Sequence, residues 1–186
     1  MNLNLTITSK YWSIQPQFST TVYNESMMIT WKKTMEDILK LFQQERMIII
    51  APKPLESLDD IFSTISQTIN YKNIDYSIIH LPLTNTDLNQ ELFTDVVNSI
   101  EFECAGLWFI AVSNVEPELD FIEKTLRTIN ESNHFINLDR IQVELLVCVS
   151  DGKELLWLNP HSQSETSINK LVTLLKTHQW EISLIK

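Results

Sequence analysis

The sequence predicts an α/β fold of three layers: a mostly parallel sheet flanked by helices, with an antiparallel hairpin late in the chain and a strand-like arm at its start. Three observations predict it. Short, continuous apolar runs suit strands buried on both faces of a sheet. Those runs alternate with segments of helical period, the pattern of successive strand–helix units. Asp151-Gly152 between two apolar runs marks a tight antiparallel turn. The reading divides the chain into residues 1–29, an N-terminal arm or edge strand, and residues 30–186, a single α/β domain.

In chain order, Leu3, Leu5 and Ile7 alternate with Asn4, Thr6 and Thr8 at strand period, and polar residues then dominate through Glu25. From Thr30 the period becomes helical, with Trp31, Met35, Ile38, Leu39 and Phe42 on one face and Lys32, Lys33, Glu36 and Asp37 off it. Met47 to Ala51 is a β-branched strand. Ser57-Leu-Asp-Asp60 resembles a capping box opening a helix striped by Leu58, Ile61, Phe62, Ile65 and Ile69. Tyr76 to His80 is a second inner strand, followed by a helix with Leu88, Leu92, Val96 and Ile100 on its stripe. Leu107 to Val112 is a third strand, and Pro117 stands in the first turn of a helix carrying Leu119, Ile122, Leu126 and Ile129. Ile141 to Val149 and Leu155 to Leu158 form the hairpin. A last helix, capped by Ser162 or Ser164 and striped by Ile168, Leu171, Val172 and Leu175, leads to a final strand in which Trp180, Ile182 and Leu184 alternate.

Composition excludes more than it assigns. The chain has 186 residues, 44% of them hydrophobic, enough for a packed core. It has two glycines, Gly106 and Gly152, where average usage gives about thirteen. Phosphate-cradling loops need glycines for close backbone approach, and the loop after the first inner strand, Ala51 to Ser57, has none; it carries two prolines, with Glu56, Asp59 and Asp60 at the following helix start. A conventional nucleotide triphosphate site is excluded, and no cofactor is expected. His80, His134, His161 and His178 lie far apart without ligand spacing, so no metal is expected. Three arginines, Arg46, Arg127 and Arg140, spread through a chain of net charge −10, argue against a nucleic-acid partner. No signal-like start and no apolar run of membrane-spanning length occurs, and two cysteines without a CxxC spacing suit a reducing cytoplasm.

The order of elements from Met47 to Ser150 resembles the core of P-loop NTPases of the AAA and STAND kind. In that resemblance Leu107 to Asn114 corresponds to the Walker B strand, with Asn114 in place of a metal-binding Asp, and Val147 to Ser150 lies on the sensor strand. The resemblance rests on layout and hydrophobicity, and it implies a nucleotide fold that has lost hydrolysis and serves as a regulatory module.

What the residues favour is recognition of another protein. Five tryptophans are more than a small core normally uses, and tryptophan is enriched at interface centres. Tyr11 and Trp12 in the polar arm and Trp157 at the hairpin end are the interface candidates, with Gln142 and Glu144 sharing one face of a strand. The alternative for the tryptophans is that they fold back onto their own domain. The arm could join a partner's sheet, or a second copy of this chain, by strand addition. The acidic balance favours a basic partner. The resulting expectation is a noncatalytic adaptor, chaperone or immunity-type inhibitor within a cytoplasmic assembly such as a secretion or defence complex; the Ile, Asn and Lys bias suggests a bacterial one. The rival expectation is an enzyme with a noncontiguous site near His80, Asn114 and Asp151 at the strand ends.

Overall fold

The computed structural model describes residues 1–18, 25–42, 47–52, 66–71, 74–81, 91, 93, 94, 97, 109–113, 124, 143–149, 153–160 and 165–185. The elements whose bounds are described are β1 (Asn2–Ile7), β2 (Tyr11–Pro16), α1 (Glu25–Phe42), β3 (Met47–Pro52), β4 (Ser66–Tyr71), β5 (Ile74–Leu81), β6 (Phe109–Ser113), β7 (Leu145–Val149), β8 (Glu154–Leu158), α2 (Glu165–Thr177) and β9 (Glu181–Ile185), and Glu91, Phe93, Thr94, Val97 and Lys124 are helical as well. The strands form one sheet of order β4-β5-β3-β6-β7-β8-β2-β1-β9.

The sheet is mostly antiparallel, which corrects the three-layer, mostly parallel α/β expectation. Seven of its eight pairings are antiparallel, and β1 with β9 is the parallel one. The apolar runs are buried on both faces as read, but burial on two faces does not fix strand direction. β3 lies antiparallel to both β5 and β6, with Ile49 between Ile79 and Ala111. A P-loop core needs parallel neighbours joined by crossovers, so the resemblance to NTPases over Met47 to Ser150 falls with the parallel sheet. Ile69, read as the end of a helical stripe, is in β4, opposite Tyr76 of β5. The helix proposed over Ser57 to Ile65 and the caps Ser162 and Ser164 lie outside the described residues; of the helix expected after Pro117, Lys124 is described, and it is helical.

Other expectations hold. β7 and β8 pair as the hairpin, with Val149 opposite Glu154. Leu171 and Leu175 of α2 are buried, and Ile168 and Val172 pack beside them. Helix α1 starts at Glu25, five residues before its stripe is recognisable, and buries Met27, Trp31, Met35, Ile38, Leu39 and Phe42.

The pleat sends alternate residues into two apolar layers. Leu3, Leu5, Trp12, Ile14, Met47, Ile49, Ile79, Leu146, Cys148, Leu155 and Trp157 meet α1 and α2, joined by Phe93 and Val97. Ile48, Ile50, Tyr76, Ile78, Ile110, Leu145, Val147 and Leu158 form the second layer on the other face. Each fully buried large side chain contributes about 1.5–3 kcal/mol, so the helix-covered layer is the main source of stability.

The join between α2 and β9 is a Schellman motif. Trp180 N–H donates to the Leu175 carbonyl at 3.1 Å and Gln179 N–H to the Lys176 carbonyl at 2.9 Å. Leu175 and Trp180 are both buried in the helix-covered layer, the apolar contact that accompanies this cap. Gln179 sits at φ 63°, a left-handed conformation that glycine adopts without the side-chain clash. Gln179→Gly is therefore expected to stabilise the fold by about 1 kcal/mol, read as a higher urea midpoint with an unchanged denaturant slope.

Candidate interaction surface

Trp12 and Trp157 are partners of each other within this chain. They stand opposite in the β2–β8 register, and their ring centroids lie 5.1 Å apart, with Phe42 of α1 packed edge-on against Trp157 at 5.4 Å. Their exposures are 1% and 7%, so both rings are core and neither is presented at the surface. The fold-back alternative is the arrangement found. Tyr11 is half-buried and packs against the second layer. Gln142 lies outside the described residues.

Glu144 is 3% exposed rather than on a solvated face. Its Oε1 accepts a hydrogen bond from Trp157 Nε1 at 2.8 Å. A buried carboxylate is tolerated where donors meet it, and the indole is one such donor. Trp12 Nε1, equally buried, has no hydrogen-bond partner among the described residues. The two indoles therefore differ in what they hold in place.

The described strand ends next to the residues of the rival enzyme reading fall at two ends of the sheet. Leu81 and Ser113 both stand opposite Met47, so the ends of β5 and β6, beside His80 and before Asn114, share one end of the sheet. β7 runs the other way, with Phe109 opposite Cys148, so the strand end before Asp151 lies at the opposite end. Asn114 and Asp151 themselves lie outside the described residues. Cys148 is fully buried, and burial pushes its thiol far up, away from the reactive thiolate. No group of three or more metal-ligating side chains occurs among the described residues. No described helix is long and apolar enough to cross a membrane.

One titratable cluster escaped the sequence reading because its members are 141 residues apart. His178 Nε2 lies 2.9 Å from Asp37 Oδ2, and Lys40 Nζ donates to Asp37 Oδ1 at 2.8 Å. Partial burial works against the Asp37 carboxylate, but the bonds from Lys40 and His178 outweigh it and hold the carboxyl below its ordinary value. One position earlier, burial raises the Glu36 carboxyl, offset in part by a bond from Thr94 Oγ1 at 3.3 Å. His178 follows the last turn of α2. The cluster ties α1 to α2, and its polar neighbours have structural partners.

The open groups lie elsewhere, on β9. This strand is one edge of the sheet, and β4 is the other. β4 is polar at Ser66, Gln67, Thr68 and Asn70, whereas β9 exposes Leu184 by 66% and Ile185 by 46%. Glu181 N–H donates to the Met1 carbonyl at 2.8 Å, so Glu181, Ser183 and Ile185 direct their backbone groups at β1. By alternation, Ile182 and Leu184 direct N–H and C=O outward, away from β1. The side chains of these two residues stand beside Leu3 and Leu5 on the helix-covered face. Natural edges are usually guarded by charge, proline or a bulge; within β9 the only charge is Glu181, at its first position.

No family model, curated protein or solved structure matches this chain.

Two predictions follow from the buried and half-buried polar pairs. Trp157→Phe removes the donor that meets Glu144 and is expected to cost about 1–3 kcal/mol more than Trp12→Phe, which strands no partner; chemical denaturation of the two variants measures the difference. Asp37, with its folded-state carboxyl below the ordinary value of 3.8, contributes stability that is full above that value and is lost as pH falls through the folded value. Asp37→Asn should thus be less stable than the parent at pH 7, by at most about 1 kcal/mol for so exposed a pair, and the gap should narrow below pH ~3 in urea titrations.

Proposed function

We propose that this chain is a noncatalytic protein–protein interaction module: an adaptor, chaperone or immunity-type inhibitor subunit of a larger cytoplasmic bacterial assembly, such as a secretion or defence complex. The observation that carries the reading is the β9 edge, where outward backbone groups at Ile182 and Leu184 coincide with an exposed leucine. Strand addition to such an edge gives affinity through main-chain hydrogen bonds and selectivity through alternate side chains. The net charge of −10 favours a partner with a basic surface and speeds encounter at low salt. The buried thiol and the structural partners of the Asp37 cluster support a noncatalytic role.

The test uses the full chain as bait in lysate of the native host, beside a Leu184→Pro variant. Proline at 184 deletes an outward N–H while leaving the β1 ladder intact, so folding is retained, as far-UV circular dichroism will check. A stoichiometric partner is expected with the parent, reduced at least ~10-fold with the variant and weakened by raising salt from about 0.05 to 0.5 M. Absence of a stoichiometric partner, or one indifferent to the variant, would reject the reading.

A further inference from the structure

We infer that the chain joined at β9 is a second copy of this protein, paired antiparallel about Ser183 across a two-fold axis. The inference rests on the reading of β9 as an interaction edge and names its occupant. A two-fold axis normal to the sheet brings the two β9 strands together antiparallel and keeps each apolar layer continuous with its counterpart. Directly opposite residues must then lie on the same face, which excludes every register shifted by one residue.

Among the registers left, the one centred on Ser183 satisfies the edge completely. It sets Ile182 opposite Leu184 of the second copy, and Leu184 opposite its Ile182. These are the two residues whose N–H and C=O point outward, so all four groups of each copy find partners and four interchain hydrogen bonds form. A register two residues earlier sets Leu184 against Trp180, whose N–H is already given to the Leu175 carbonyl. A register two residues later sets Ile182 beyond the end of β9. The favoured register also places the exposed Leu184 side chain beside the half-buried Ile182 of the other copy, a cross-strand apolar pair on each side of the axis.

Charge does not oppose this arrangement locally. Glu181 stands opposite Ile185 of the second copy, so the two Glu181 carboxylates are separated by four residues, about 13 Å along the strands, beyond the screening length of about 8 Å at physiological salt. A five-residue ladder is a small contact, so the dimer is a reversible one that grows with concentration.

Ser183 would form a non-hydrogen-bonded pair with its own copy, with Cα atoms about 4.5 Å apart, inside the range a disulfide spans. Mild oxidation of Ser183→Cys is expected to give a covalent dimer at concentrations where sedimentation of the parent shows mass rising from 21.7 kDa toward twice that value. The parent, whose described cysteine Cys148 is buried, and Ile182→Cys, whose copies sit too far apart diagonally, serve as uncrosslinked controls. Leu184→Pro is expected to remain monomeric while folded. A parent that stays at 21.7 kDa, a dimer that Ser183→Cys does not crosslink, or a dimer that persists in Leu184→Pro would each overturn the inference. A monomeric parent that still captures a host protein sensitive to Leu184→Pro would assign the edge to a foreign strand and leave the interaction reading standing; loss of that sensitivity would end both.

Discussion

Trp180 decides where the open edge of this protein lies. Its indole N–H donates to Thr34 Oγ1 at 2.9 Å in the interior of α1, and its ring meets Trp31 edge-on at 6.0 Å. Thr34 in turn gives its hydroxyl proton to the Thr30 carbonyl, which leaves the oxygen free to accept from the indole. The backbone N–H of the same tryptophan closes the end of α2. One residue thus fixes α2 against α1 and aims the chain into β9, which then has β1 as its ladder. Because the Trp180 N–H is spent on this junction, it is not available to extend the edge, and the outward N–H groups within β9 are those of Ile182 and Leu184.

Most elements were legible in the sequence, and the direction of the strands was not. Alternation along Leu3, Leu5 and Ile7, the stripe of α1 and the stripe of α2 each report which face is buried, and those faces are the ones found. Met47 to Ile50 illustrates the limit: its residues enter both apolar layers in turn, as a doubly buried strand should, yet the same burial arises between antiparallel neighbours. Direction is set by the connections, and two of them gave little signal. Tyr71 pairs with Ile74 around Lys72 and Asn73, which lack the Asn-Gly or Asp-Gly of the favoured turn. β1 and β2 turn at Thr8, whose hydroxyl oxygen accepts from Lys10 N–H at 3.2 Å and from Tyr11 N–H at 3.0 Å. That hydroxyl turn was readable in principle from Thr8-Ser9-Lys10 and would have revealed β2 as a strand rather than the tail of a polar arm.

The open strand edge expected at the N-terminus lies elsewhere in the fold. A strand able to add to another sheet was sought at the N-terminus, because Leu3, Leu5 and Ile7 alternate so clearly; in the fold β1 has neighbours on both sides, and the open position passes to β9. The tryptophans drew attention as surface anchors, but Trp12 and Trp157 stack in the core, where burying two large rings under Phe42 is worth more than displaying them. Residue identity cannot report which backbone groups point outward. That depends on the phase of the β1 ladder, set here by the bond from Glu181 to Met1.

In the proposed dimer the Ile182 and Leu184 amides, open in the single chain, are closed by a second one. Hydrogen exchange of individual β9 amides, followed as protein concentration is raised, tests it most directly. An edge closed by a second copy requires fast exchange at Ile182 and Leu184 in dilute solution, protection at both as concentration rises, and steady protection at Ser183 and Ile185, which bond to β1. Protection of Ile182 and Leu184 at every dilution, or their free exchange at every concentration, would contradict it.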